Sequence, residues 1–550
     1  MFLGQLKVSS PILWFGVSFI TGLIISSCSN LPTPLSNQQK SNSDPLNNQQ
    51  EETEQDNKIT EEKAKEGKSL TNSQPSPSPI SQTLLSQNFP SVSDLPNSQI
   101  APALEGHASR VELISFSRDG NLLASAEYQG IFIWDTKTRE VRRILPGHRF
   151  SEYDTEPMLA TSLAFSLDGS LLASSSWSQG GSPKKSLIIW NPNTGEEIRS
   201  LAGSVGCRDV IFSPDGGKLI SSCGEGIQVW NPKTGEQLLN FYSELPVEAI
   251  ALHPQGKILA TVDLNLTGGE AGEESNAIKL WNLNAGGVQP LRTLKGHNRD
   301  INKIAFTPDG QFLVSGSFIS GEEAEGTIKI WDWQQGKSIR TQGYDGESFS
   351  LSQDSKLIAG NFGDGILLEL KTGQKIDSNI NIPMQGGASA LAFSPDGKIL
   401  AWAGQPPTFP NPLIRLWPVG GPIAEELSLA SAASNRANYM PIPLIDIWAD
   451  GLPIIAEPKA IAVSPLRIPA LKPAEEEEVS VEYPHASKAI VTITQTNLPD
   501  DSVLGLRYRI EFAPYGSQQQ GKFWKVVWVG TQQKCQPGRG NQNWSSANCN

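Results

Sequence analysis

Residues that carry chemistry are scarce in this chain: five histidines, five cysteines and four methionines stand among 550 residues. It has no glycine-rich phosphate loop ending in lysine, no serine in a nucleophile elbow and no histidine pair at metal-ligand spacing. No catalytic residue, cofactor site or metal site is therefore assigned. A basic footprint is missing as well. The net charge of −13 disfavours nucleic acid as a partner, because a polyanion would call for clustered Lys and Arg. The apolar stretch from Pro11 to Ile25 is short for a membrane-spanning helix.

What the chain does have is repetition. A turn built around Phe-Ser-Pro-Asp-Gly recurs seven times between residues 116 and 397, starting at Phe116, Phe165, Phe212, Leu252, Phe306, Leu351 and Phe393. The clearest copy is Phe212-Ser213-Pro214-Asp215-Gly216, followed by an apolar run and Gly226-Ile227-Gln228-Val229-Trp230. Closing tryptophans fall at Trp134, Trp190, Trp230, Trp281, Trp331 and Trp417, and the copy that should close near Glu369 lacks one. Proline presets φ for the turn and glycine lets the chain leave it. The Val-, Ile-, Leu- and Phe-rich runs between turns read as short strands. A sheet of four such strands exposes two apolar faces, and stacking sheets radially buries both. The tryptophans read as packing between those sheets.

A period of roughly 40–45 residues with these motifs resembles the WD40-repeat family, over residues 101 to about 420. The resemblance implies an all-β, seven-bladed propeller across residues 99–420, with the strand before Glu105-Gly106-His107 closing the last blade unless Ala424–Leu429 takes that edge. In the family, the histidine of a Gly-His pair joins a buried network with an Asp, a Ser and the Trp. Here Gly-His survives at Gly106-His107, Gly147-His148 and Gly296-His297, while Tyr128, Gly224 and Glu325 stand six residues before a tryptophan, where Asp is expected. The networks are accordingly expected to be incomplete and the histidines non-catalytic. Propellers that bind quinones put tryptophan after Thr-Gly, whereas Trp230 here precedes Thr234-Gly235.

The N-terminus resembles a bacterial lipoprotein signal: Lys7, the apolar stretch, then Ile25-Ser26-Ser27-Cys28 at the lipobox position. This implies loss of residues 1–27 and lipidation of Cys28, or, as the alternative, an uncleaved anchor helix. Either places the protein on a membrane in the cell envelope, outside the cytoplasm. Residues 28–98, rich in Asn, Gln, Ser, Pro and Glu, cannot bury enough apolar surface to order themselves. They read as a disordered tether with an r.m.s. span of about 45 Å.

Without Cys28, four cysteines remain. Cys207 and Cys223 lie eight residues either side of Asp215 and should face each other on adjacent strands, as a disulfide or as two buried thiols. Cys535 and Cys549 bracket a glycine-rich end that a disulfide would clasp. Residues 421–477 read as a Pro- and Ala-rich connector, and residues 478–550 as a small β-rich or α+β domain. Its strands are expected at Ala489–Thr496, Val503–Phe512 and Phe523–Val529, with Tyr508, Phe512, Phe523, Trp524 and Trp528 as core.

Four insertions, Ser178–Lys185, Leu264–Asn276, Gly321–Glu325 and Gln405–Pro412, fall between the second and third strands of their blades. They emerge on the face that carries the Gly-His turns. Two are acidic, through Glu270, Glu273 and Glu274 and through Glu322, Glu323 and Glu325, so a partner there should be basic, unless the loops are neutral drift. The functional expectation is a membrane-tethered platform for protein partners, not an enzyme. The alternative is an exported propeller enzyme or small-ligand binder working at the central channel.

Overall fold

In the computed structural model, the described residues run from 103 to 549. Omitted are the segments 150–156, 178–184, 202–205, 264–275, 286–288, 318–325, 363–366, 377–387, 405–412, 420–434, 448–452, 463–473 and 518–522, and positions 225, 243–244, 345, 347, 361, 475 and 501. All described residues belong to one compact unit, Gln87–Asn550. Cys28, its signal and the tether lie outside the described residues, as do all six glutamates proposed for the partner-facing loops.

Each turn motif joins the first two strands of an antiparallel sheet. In blade 3 these are Cys207–Phe212, Leu219–Cys223, Gly226–Trp230 and Gln237–Tyr242. Blades 1, 2, 4 and 5 repeat that order, with inner strands Leu113–Phe116, Ser162–Phe165, Val247–Leu252 and Ile301–Phe306. The last blade takes Ala390–Phe393, Ile399–Gly404 and Leu413–Pro418 from the C-terminal side of the ring and Ala103–Glu105 from its start. That closing strand pairs Leu104 with Ile414, the edge for which Ala424–Leu429 was the competing candidate.

The expected seven blades reduce to six of four strands. Between blade 5 and the last blade, the sixth repeat forms a three-stranded sheet of Ser350–Leu351, Leu357–Ala359 and Leu367–Glu369. Among the described residues, its outer position is held by a single bridge, Leu368 to Lys375. The cause is local. Leu368 pairs with Ile358 where other blades pair the closing Trp with a Leu, and Gly360 stands where blades 1 to 5 carry Ser or Thr. Tyr344 and Phe362 fill the space, and a Cβ at position 360 would meet the Tyr344 ring at 2.9 Å.

The turn explains its own sequence. Ser213 Oγ donates to Asp215 Oδ1 (2.5 Å) and accepts from Lys218 N (2.8 Å), while Gly216 sits at φ 68°. The same serine-to-aspartate bond recurs at Ser117, Ser166, Ser352 and Ser394. In blade 2 the bond from Ser166 holds Asp168 down to a pKa of about 2.

Tryptophans pack between blades. Trp190 clusters with Ile131 and Ile133 of blade 1, Trp230 with Leu187 and Ile189 of blade 2, and Trp331 with Ile278 and Leu280 of blade 4. On the rim, a second repeated device holds neighbours together. Arg199 Nη2 donates to Lys233 O of the next blade (3.1 Å), and Arg340 Nη2 donates to Lys371 O (2.9 Å). Each arginine lies across a turn glycine, Gly235 or Gly373, where a Cβ would come within 2.5 or 2.6 Å of it. Arg292 does the same over Gly336.

Beyond the ring, four antiparallel strands, Glu476–His485, Lys488–Thr496, Val503–Tyr515 and Phe523–Cys535, run in that order. They continue the sheet of blade 1 through a parallel bridge from Tyr515 to Ile144. The first of them opens in the acidic stretch of the expected connector. Other connector residues join this sheet too: Met440–Pro441 and Ile454–Ile455 pair with the last strand, and Leu444 and Ile447 enter its core. Tyr508, Phe512 and Trp524 are in that core and Trp528 is buried, but Phe523 is 39% exposed, because it starts its strand at the rim. Cys207 and Cys223 are directly paired across two strands and bonded, Cα to Cα 4.0 Å, and Cys535 and Cys549 are bonded at 5.4 Å.

Candidate functional site

Successive strands reverse direction, so the Gly-His turns and the second-to-third strand connections share one face of the ring. The described strand ends agree: the insertions lie between Ser175 and Leu187, Asp263 and Ile278, Ser317 and Gly326, and Gly404 and Leu413. Beneath this face, three hydrogen-bond networks are assembled. His107 Nε2 and Trp134 Nε1 meet on Ser125 Oγ at 2.9 and 2.7 Å. Ser174 joins His148 and Trp190, and Ser315 joins His297 and Trp331, all at 2.6–2.8 Å.

The expectation of incomplete networks holds at the Asp position: the His–Ser–Trp bonds form in all three blades, but among the described residues no Asp joins them and His107 Nδ1 makes no hydrogen bond. In blade 1 the missing Asp is replaced by Glu127, one residue before Tyr128. Its Oε2 accepts from Ala108 N (2.9 Å) and Ser109 N (2.8 Å) and lies 3.5 Å from His107 Nδ1. In blade 2 the Lys185 carbonyl serves His148 Nδ1 (2.8 Å). Burial pushes His148 down to about 4 and His297 down to about 3, so both are neutral at physiological pH and act as structural hydrogen-bond partners. Trp230 and Trp281 keep the bond without a histidine, through Ser221 and Thr261. Trp417 has no such acceptor among the described residues, because Trp402 occupies the equivalent position.

The same face holds a charged constellation at the entrance to the central channel. Inner strands begin there, and in blades 3, 4 and 5 each carries a β-bulge, between Cys207 and Asp209, Val247 and Ala249, and Ile301 and Lys303. A bulge leaves one residue outside the ladder and re-aims it. The residues set free are Arg208, Glu248 and Asn302. Arg208 Nη1 lies 2.8 Å from Glu248 Oε2 while its guanidinium stacks 3.6 Å from the Trp177 ring.

One layer deeper, Asp209 Oδ1 accepts from Ser162 Oγ of blade 2 (2.7 Å) and from Val210 N (2.8 Å), and Oδ2 from Ile250 N of blade 4 (3.0 Å). Lys303 Nζ donates to Ser348 Oγ (3.0 Å) across to the sixth repeat. These bonds cross from blade to blade, so the side chains converge on the ring's axis. Burial raises the Asp209 and Glu248 carboxyls above their ordinary range, and neighbouring Asp209 and Asp300 add to the shift at Glu248. Burial also lowers Lys303 to about 8. Among the described residues, the carboxyl groups of Asp209, Glu248 and Asp300 thus gather beside two cations, Arg208 and Lys303.

This constellation is suited to recognition more than to bond-making. Both Asp209 oxygens are occupied by donors from three strands, and among the described residues of the entrance no nucleophile is paired with a free base. Among the described residues, no group of three His, Cys, Asp or Glu is placed to hold a metal ion. Sequence reasoning missed the entrance because its signal is a register shift within a strand. The six tryptophans are in the blade interfaces, away from the entrance, and the six glutamates expected on the insertions lie outside the described residues.

Radial four-stranded sheets, closing tryptophans and Gly-His networks are the features of a WD-repeat β-propeller. In agreement, the WD domain, G-beta repeat family matches residues 98–135 and 288–332. The chain is similar to the serine-threonine kinase receptor-associated protein of Rattus norvegicus, 24% identical over 234 residues, covering 42% of this chain and 57% of that protein. It is likewise similar to the nuclear distribution protein PAC1 of Arthroderma otae, 30% identical over 272 residues, 44% of this chain and 54% of that one. The chain thus spans just over half the length of the curated relatives it matches.

Proposed function

We propose that this protein is a platform for protein partners, held at a membrane through lipid on Cys28 and working outside the cytoplasm, with the Gly-His face and its channel entrance as the contact surface. The observation that carries the reading is the entrance itself, where β-bulges present Arg208 and Glu248 beside Asp209 and Asp300. The excess of carboxylate favours a partner segment bearing Lys or Arg. The relatives' names, one a receptor-associated protein, are compatible with a binding role. Two disulfides within the described residues support an oxidising compartment.

Crosslinking in native membranes, followed by identification of the captured proteins, tests the platform. Glu248→Lys reverses one charge at a partly exposed position and should remove the specific adducts; the same adducts at unchanged yield would refute the entrance as contact surface. For the anchor, Cys28→Ala should abolish fatty-acid labelling. Persistent labelling in that variant, or a mature chain that still begins at Met1, would reject lipidation.

A further inference from the structure

Among the described residues, the ring is closed by three residue pairs: Ala103 with Arg415, Leu104 with Ile414 and Glu105 with Leu413. An edge strand that short has little of its own to resist fraying. Yet the segment running from it into blade 1 is gripped by the C-terminal sheet at successive residues. Arg436 sits between the two parts: Nη1 lies 3.4 Å from Glu105 Oε2 of the closing strand, while Nη2 and Nε donate to Glu511 Oε2 at 2.6 and 3.0 Å.

At the next residue, a Cβ on Gly106 would meet the Val527 carbonyl at 3.3 Å, so the last C-terminal strand lies directly against the junction. Val527 and Ala513 complete the apolar cluster that contains Leu104, Ile414, Leu416 and Trp134, joining closing strand, last blade and blade 1. Ala108 and Ser109 are held by Glu127, and the buried Lys525 lies beside that carboxylate with Nζ donating to Gln129 O (3.2 Å). The sheet is secured on the far side by Gly516 N donating to Ile144 O (3.0 Å) and Arg143 Nη1 donating to Gly516 O (3.3 Å).

From this geometry we infer that the C-terminal sheet is a clasp, whose role is to retain the closing strand and so keep the ring shut at its one seam. The contacts converge on residues 105–109 from the core cluster, the ion pairs and the backbone at once, and the ladder bridge at Tyr515 alone would not require them. The clasp also fixes the first Gly-His turn, so the contact face next to the seam depends on it.

Hydrogen–deuterium exchange on the full chain tests the clasp. In the double variant Arg436→Gln, Val527→Ala, amide exchange over residues 103–109 should accelerate by about ten-fold, the expected response of a strand released into local opening. The strand Ile258–Asp263, across the ring, should keep its parent rate. An unchanged rate over 103–109, or an equal acceleration in Ile258–Asp263, would overturn the clasp. Arg436→Gln alone leaves Glu511 paired with Lys488 and Arg509 and should show the same contrast at smaller amplitude. If the double variant does not fold, the single variant decides by the same two outcomes.

Discussion

Replacing Glu511 by Gln should destabilise the C-terminal sheet by an amount that depends on pH in a defined window. Glu511 is 1% exposed and meets Arg436 at 2.6 Å, Arg509 at 2.9 Å and Lys488 at 3.2 Å. Burial alone would raise its carboxyl, but the three cations, Arg436 foremost, outweigh it and hold the pKa near about 2 against an ordinary 4.5. A depressed carboxyl contributes stability that is fully present above its unfolded pKa and is lost as pH falls through the folded one. At 1.36 kcal/mol per unit, the shift corresponds to about 3 kcal/mol. Glu511→Gln removes that contribution at pH 7 and leaves three cations around a neutral amide. The gap between parent and variant should therefore be about 3 kcal/mol at neutral pH and close between pH 4.5 and about 2. Urea unfolding followed through the fluorotryptophan resonance of Trp528, over which Arg436 lies at 5.1 Å, reports on this sheet locally. A gap that stayed constant from pH 7 to pH 2.5 would refute the electrostatic account.

Two further outcomes follow from the structure. Ser315→Ala leaves both Trp331 Nε1 and His297 Nε2 without their shared acceptor and should cost about 1–3 kcal/mol in thermal unfolding of the ring, against less than 1 for the exposed Ser338→Ala; equal effects would remove the network's claim to stability. Cys535→Ser should speed proteolysis after Phe523 while the blades stay folded, since a bridge across a loop of about 15 residues restricts the unfolded chain by roughly 3 kcal/mol. Free thiols at both positions in the protein from its native source, found by non-reducing peptide mapping, would remove that stabilisation.

The turn motif made most of the ring legible, because Ser, Asp and Gly each perform a separate task there and so recur at fixed spacing. The reduced sixth repeat was half legible: the lost tryptophan showed, but Leu368 and Gly360, which replace the Trp and its Ser, look like any apolar and small pair. Counting back from the tryptophan found Tyr128, 50% exposed, and missed Glu127 beside it, since a side chain one methylene longer than Asp reaches the turn from the neighbouring position. The strand Glu476–His485 was unreadable for the opposite reason. It is an exposed edge, so charge replaces the apolar alternation that marks a half-buried strand. The channel entrance depends on bulges in three strands that are far apart in sequence, and only the closed ring brings Arg208, Glu248 and Lys303 together.

The rim arginines impose an order on the blades. Arg199 and Arg340 each require that the following unit offer a turn without a side chain, which Gly235 and Gly373 supply at φ 78° and 68°. Adjacent units are thus not interchangeable parts but sender and receiver. A unit duplicated or transplanted within the ring would remain compatible on one flank only if it kept its arginine, and on the other only if it kept its glycine. Growth of such rings by copying units is accordingly directional, and a chimera should be cut between the turn glycine and the arginine that follows it, so that each arginine stays on one segment with the glycine it lies across.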